Sequence, residues 1–189
     1  MTYNPQNYHR PSDKTQGRRS IRLQGYDYTQ PGAYFVTIAA SRDKTAFGKI
    51  IDSTPVLNPL GCIARDCWLE IPAHFPHILL DEYMIMPDHL HAILILTQPD
   101  GGATHASPLH EISGRPRGPQ RHSLGAIIGS YKAAVSRRAH QISAYHNLII
   151  WQCNYYERII RDETELNAAR KYILENPLGW HLDQENLAK

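Results

Sequence analysis

Cysteine and long apolar runs are both scarce in this 189-residue chain. The three cysteines, Cys62, Cys67 and Cys153, are odd in number and form no C-x-x-C pair. That removes a disulfide framework and a thiolate zinc site as organising devices. No apolar run reaches the length of a bilayer span, and the opening Met1-Thr2-Tyr3-Asn4-Pro5-Gln6 holds no apolar signal core. A cytoplasmic chain with no membrane partner is therefore expected. Excess charge is scarce as well, the formal net value being +2. What remains is an ordinary globular composition, 42% hydrophobic, at a length that suits one domain.

The distribution of charge says more than its sum. Residues 1–32 carry Arg10, Lys14, Arg18, Arg19 and Arg22 against Asp13 and Asp27. Residues 110–140 carry Arg115, Arg117, Arg121, Lys132, Arg137 and Arg138 against Glu111 alone. From Asp162 onward the chain is net acidic. Basic patches on a nearly neutral chain suit a polyanion held at one face, and they suit a solvated surface equally well.

Taken in order, residues 1–24 are polar and basic with no apolar period and read as a flexible arm. A domain over 25–180 and a C-terminal tail over 181–189 follow. Pro31-Gly32 breaks the chain before Ala33-Tyr34-Phe35-Val36-Thr37-Ile38-Ala39-Ala40, an aromatic and β-branched run of strand length. Residues 47–51 suit a short edge strand. Asn58 or Pro59 opens a helix marked by Leu60, Ile63, Ala64, Cys67, Trp68 and Ile71, with Pro72 near its end. Residues 78–86 read as a second strand and 89–96 as a third. The third is apolar on both faces beyond its histidines, which predicts a central position in the sheet. Residues 97–122 hold no period and form a loop inserted in the domain. Ser123 caps a helix with Leu124, Ile127, Ile128, Tyr131, Ala134 and Val135 on one side and Lys132, Arg137 and Arg138 on the other. Residues 148–151 and 155–160 suggest short strands. Asp162, with Glu165 three residues on, opens a last helix expected to end at Asn176-Pro177. Strands interspersed with helices imply an α+β sandwich with the helices on one face of an antiparallel sheet.

The chemistry gathers at Pro87-Asp88-His89-Leu90-His91. Side chains alternate along a strand, so His89 and His91 share a face and could grip one metal ion. In a chain of 11 histidines, one core and one surface histidine would give the same spacing. In the last helix Tyr172 and Asn176 stand at i, i+4 on one side, beside the stripe Leu166, Ala169 and Ile173. A tyrosine next to a metal-bound phosphate can be a nucleophile, because the cation stabilises its phenolate and polarises the phosphate. Asn176 could add a carbonyl oxygen to the metal. Taken alone, Tyr172 also fits a boundary aromatic that packs its ring and wets its hydroxyl.

The Pro-Asp-His-Leu-His stretch resembles the His-hydrophobic-His motif of the HUH endonucleases. Three further stretches resemble one branch of them, the REP-associated tyrosine transposases and their single-tyrosine insertion-sequence relatives. These are Tyr26-Asp27-Tyr28 with residues 31–37, Trp151-Gln152-Cys153-Asn154-Tyr155-Tyr156-Glu157, and Tyr172-Ile173-Leu174-Glu175-Asn176-Pro177. The resemblance implies a ferredoxin-like α+β sandwich, with helices packed on a central antiparallel sheet. It implies a strand transferase in which His89, His91 and Asn176 hold Mg²⁺ or Mn²⁺ and Tyr172 attacks single-stranded DNA beside a hairpin. A 5′-phosphotyrosine link and a free 3′-OH would result. Arg158 departs from the family, which often has His there, and so does Asp88, where Asn is common and little effect is expected.

The partner implied is hairpin-bearing single-stranded DNA, of the kind found at REP or insertion-sequence ends. Arg18, Arg19, Arg22, Lys132, Arg137 and Arg138 are the expected phosphate contacts. Tyr26, Tyr28 and Trp151 could stack unpaired bases, with a core position favoured for Trp151. Tyr131 is expected in the core. Of Tyr155 and Tyr156, one should face the core and the other the metal. The loop with Arg115, Arg117 and Arg121 either orders on DNA or is a spacer. Two other functions stay open: a domesticated hairpin-binding protein without catalysis, and a metal-dependent phosphodiesterase that uses water. Monomer and homodimer are both compatible with the motifs, as is association with the nucleoid when DNA is bound.

Overall fold

Alternating burial along two strands sets the architecture. The computed structural model describes residues 26–41, 45–98 and 120–187, with side chains up to Trp180. The expected arm, the contacts Arg18, Arg19 and Arg22, and the loop residues Arg115 and Arg117 lie outside these. Strands β1 (Gly32–Ala39), β4 (Ile78–Ile85), β5 (His89–Leu96) and β6 (Tyr156–Ile160) form one antiparallel sheet in the order β4-β5-β1-β6. This is the ferredoxin-like order, with β5 and β1 in the middle as the apolar character of both runs requires. A separate hairpin joins β2 (Gly48–Ile51) to β3 (Thr54–Leu57) through Asp52-Ser53. Both turn residues have positive φ, at 48° and 59°, the combination a two-residue type I′ turn needs.

Helices cover both faces of the main sheet, not the single face expected. On one side, α1 (Pro59–Leu69) and α3 (Leu124–Ala139) lie against Tyr34, Val36 and Ile38 of β1 and Leu90, Ala92 and Leu94 of β5. Trp68 and Tyr131 meet there edge to face. On the other side, α4 (Glu163–Leu187) seats Ile173 on Phe35, Ile93 and Ile160. Period-2 alternation thus feeds two cores from the same strands. The sequence pattern shows that both faces are apolar but not which helix covers which.

Caps follow the sequence. The Asn58 side chain accepts from Gly61 N at 2.9 Å and Ser123 accepts from Ala126 N at 3.3 Å. Asp162 accepts from Glu165 N at 2.8 Å, while Glu165 reaches back to Arg161 N, one residue earlier than an ordinary capping box. A very short helix, α2 (Ile71–His74), follows α1.

Three boundaries differ from expectation. α4 does not stop at Asn176-Pro177 but continues to Leu187, taking up most of the expected tail. Pro177 removes one backbone donor, and its burial on the sheet side offsets part of that loss. Residues 148–151 form no strand: Trp151 makes a single bridge to Ala40. Strand β3 went unforeseen because Pro55 interrupts a four-residue run, a tolerable fault in a two-stranded hairpin. Among the described residues no helix is long and apolar enough to cross a membrane.

If Ile173 is what seats α4, Ile173→Ala should lower the unfolding free energy by about 2–4 kcal/mol, because its side chain is wholly buried. Leu174→Ala, at 54% exposure one residue on, should change it by less than about 0.5 kcal/mol. Urea unfolding of the two variants provides the comparison.

Candidate active site

The turn before β5 is fixed from outside. Pro87 O accepts from Phe47 N at 2.9 Å, and Asp88 O accepts from Ala40 N at 2.8 Å. β5 then starts in register with β1, His89 opposite Ala39 and His91 opposite Thr37. Both histidines point to the α4 face, together with Phe35 and Ile93.

Each imidazole has one nitrogen tied back to the protein. His89 Nδ1 lies 2.6 Å from Asp88 Oδ1, where only an N–H can satisfy the carboxylate. His91 Nδ1 lies 2.8 Å from Thr37 Oγ1, and Phe35 stacks on the His91 ring at 5.4 Å. The two Nε2 atoms are left facing each other at 2.9 Å. Two ligands at adjacent corners of an octahedron, each about 2.1 Å from the ion, stand about 3 Å apart. The imidazole pair therefore fits one divalent cation, with both rings held by outer partners as metal-ligating histidines usually are. His91 is only 6% exposed. Burial, aided by the neighbouring His89, pushes its pKa well below the ordinary histidine value. It stays neutral at pH 7, as a ligand must.

α4 runs over this pair. Tyr172 Oη lies 3.4 Å from His91 Nε2, and its ring meets His91 at 5.2 Å and Phe35 at 6.0 Å. Trp180 sits 6.0 Å from the His89 ring. Asn176 is one turn from each, on the stripe 172-176-180, and half-buried. Among the described residues no three His, Cys, Asp or Glu side chains converge as a metal-binding group. A third donor from these residues would be of another type, such as the Asn176 amide.

Two ion pairs hold α4 in place besides Ile173. Arg170 donates to Asp81 from Nε at 2.8 Å and from a terminal nitrogen at 2.6 Å. Asp81 faces the helix by strand alternation, since Ile78 and Leu80 before it turn into the α1/α3 core. Arg158 pairs with Glu165 at 2.9 Å, which gives this departure from the family a place at the start of the helix. Asp88 Oδ1 holds the His89 ring, a contact that the amide oxygen of Asn could also make.

The remaining candidates divide by face. Tyr156 packs beside Tyr172 on the α4 side, whereas Tyr155 packs against the α1/α3 core under the Lys132 ammonium at 5.8 Å. Tyr131 is buried and donates to Ala64 O, and Trp151 is buried and donates to Lys132 O. Tyr26 and Tyr28 pack their rings around Tyr34 instead of standing clear. Lys132 donates to Gln152 O and Asn154 O, both at 2.9 Å, and burial lowers its pKa to about 8. Arg138 is forked onto Glu70. Arg137 and Arg121 are exposed. The α3 cations thus lie across the sheet from His89, His91 and Tyr172. The site residue that sequence reasoning missed is Trp180. Its i+4 spacing from Asn176 signals a shared face only once the helix is known to pass Pro177.

No protein-family model matches the chain. An uncharacterized protein of Haemophilus influenzae is 38% identical over 167 residues, which is 88% of this chain and 92% of that protein. Among solved structures, a REP-associated tyrosine transposase bound to a REP hairpin aligns with a TM-score of 0.54 at 16% identity. The alignment covers 84% of this chain and 73% of the other. At that identity the likeness is one of fold.

The Arg170 guanidinium holds the Asp81 carboxyl below its usual pKa, and the Glu82 N–H adds to the effect. A depressed carboxyl stabilises the fold above its unfolded value near ~3.9, and that stability is lost as pH falls through the folded value. Asp81→Asn should cost about 1 kcal/mol at pH 7, a modest figure because Arg170 is partly open to solvent. As pH falls below the depressed folded value, the variant and the parent should converge. Chemical unfolding across that range tests the sign.

Proposed function

We propose that this chain, which belongs to one family with the Haemophilus influenzae protein and has the fold of a REP-associated tyrosine transposase, is a single-tyrosine DNA transposase. It nicks and rejoins single-stranded, hairpin-bearing DNA. The carrying observation is the approach of Tyr172 Oη to within 3.4 Å of His91 Nε2, the nitrogen turned toward His89.

His89, His91 and Asn176 would hold Mg²⁺ or Mn²⁺. When bound, the cation supplies a Lewis acid for a phosphate oxygen and lowers the cost of the phenolate. Tyr172 Oη attacks the phosphorus of a phosphodiester. The Oη–P bond forms, the P–O3′ bond breaks, and the leaving oxygen takes up a proton to become a free 3′-OH. The 5′-phosphate stays on Tyr172. Attack by another 3′-OH reverses the step and joins the strands without water or ATP, because the ester energy is retained in the phosphotyrosine link. Two neutral imidazoles and an amide leave the cation its whole charge.

The chain's own residues supply the geometry. Thr37 and Asp88 set which imidazole nitrogen faces the site. Phe35 and Ile173 fix the height of the Tyr172 ring above the sheet. Because α4 docks on the sheet of its own chain, the tyrosine is available in cis, which supports a monomer as the working unit. A cytoplasmic setting, with association to the nucleoid, goes with this reading.

Incubation with hairpin-tailed single-stranded DNA and Mn²⁺ should give a covalent adduct on a denaturing gel. Tyr172→Phe should abolish it, and an adduct of equal yield in that variant would disprove the nucleophile. Chelation should remove the adduct and added Mn²⁺ restore it. His91→Ala should lower the rate by more than the roughly 10–100-fold that loss of an outer partner of a metal ligand costs. A free 5′-phosphate with no adduct would instead indicate water as the nucleophile.

A further inference from the structure

Trp180 is the residue that the proposed chemistry leaves unused. Three aromatic contacts form a row along the site: Tyr172 to His91 at 5.2 Å, His91 to His89 at 4.3 Å, and His89 to Trp180 at 6.0 Å. Tyr172 and Trp180 therefore bracket the histidine pair. Eight helical residues separate them, a rise of about 12 Å. Continuation of α4 through Pro177 is what keeps Trp180 on the Tyr172 side.

The Trp180 contact with His89 is loose. At 6.0 Å and 43° the indole does not stack on the imidazole as Phe35 stacks on His91, at 5.4 Å and 29°. Its ring is half-buried and not sealed in the core. The chain's other two tryptophans are different: Trp68 is fully buried and Trp151 is sealed between Phe47 and Tyr131. A half-buried indole at the edge of a phosphate-handling site suits an unpaired base, because every base has a π-face to offer. Arg170 and Arg158 are not free to take that role, being tied to Asp81 and Glu165.

Building on the transposase reading, we propose that Trp180 is a substrate-positioning residue that stacks an unpaired base next to the scissile phosphate and so sets which phosphate reaches Tyr172.

The test uses the full chain carrying Tyr172→Phe, so that no strand is cut, with single-stranded dT16 as probe. Binding should quench tryptophan fluorescence, and adding Trp180→Phe should remove most of the quench, since Trp68 and Trp151 are shielded. Trp180→Ala should weaken dT16 binding by roughly tenfold, the loss of one base stack, and Trp180→Phe should recover part of it. Mn²⁺ affinity should be the same in all three proteins. A quench that survives Trp180→Phe, or unchanged dT16 affinity in Trp180→Ala, overturns the inference. So does a drop in Mn²⁺ affinity with DNA affinity intact, which would make Trp180 a brace for His89. If hairpin-tailed DNA still gives a Tyr172 adduct while these outcomes occur, only the stacking role is lost. If neither probe binds, the transposase reading falls with it.

Discussion

A buried imidazole with both nitrogens engaged is the constraint on which the rest of this fold depends. His91 lies in the centre of the sheet at 6% exposure, and a polar ring there is costly unless its nitrogens have partners. Thr37 on β1 supplies one and the facing His89 the other. That pairing works in one register only. A one-residue slip of β5 would carry both histidines into the α1/α3 core, among Leu90, Ala92 and Leu94, and bring those apolar side chains out under α4. The apolar alternation of β5 and the polar demand of His91 therefore enforce the same register. α4 then closes over the ring, so covering the histidine and delivering Tyr172 to it are one packing event.

Much of this was legible in the sequence, and the reasons differ by element. His-x-His reads correctly because strand alternation is a strict period of two. Tyr172 and Asn176 fall on one side of α4 because i, i+4 is fixed by helical geometry. The last helix was cut short because Pro177 usually ends one. Here Ile173, the Asp81 tie and Pro177's own burial keep it going, and none of those tertiary partners shows in a local window. Trp180 was lost with the missing turns.

The basic helix shows the opposite failure. Lys132 and Arg138 stand on the exposed-looking face of α3, as its period predicts. The sequence cannot show that carbonyls of residues 152 and 154 take up the Lys132 ammonium, or that Glu70 at the end of α1 takes up the Arg138 guanidinium. Both cations fasten loops and helix ends on the side of the sheet away from His91. Tyr26 and Tyr28 likewise looked like platforms for bases, yet they pack around Tyr34, whose own hydroxyl donates to Gln30 O. Charge and aromatic counts describe what a surface could offer, while pairing decides what remains to be offered.

That accounting bears on how a polyanion could be held beside Tyr172. Arg170 and Arg158 are committed to Asp81 and Glu165, Lys171 is 73% exposed and only loosely paired at 3.8 Å from Glu175, and the α3 cations lie across the sheet. Among the described residues, Lys171 is thus the loosely paired positive charge beside the tyrosine, and the arginines there are tied down. A phosphate brought there by arginines alone would have to break ties that position the helix. The two imidazoles and the amide carry no charge, so a cation seated on them would be the strongest positive field on that face. On the proposed reading, loading the site therefore attracts the phosphate and activates it at the same point. Recognition by Trp180 needs no charge at all. A neutral ligand set, a tied-down helix and a half-buried indole would then divide attraction, positioning and reading of the strand among groups that do not compete.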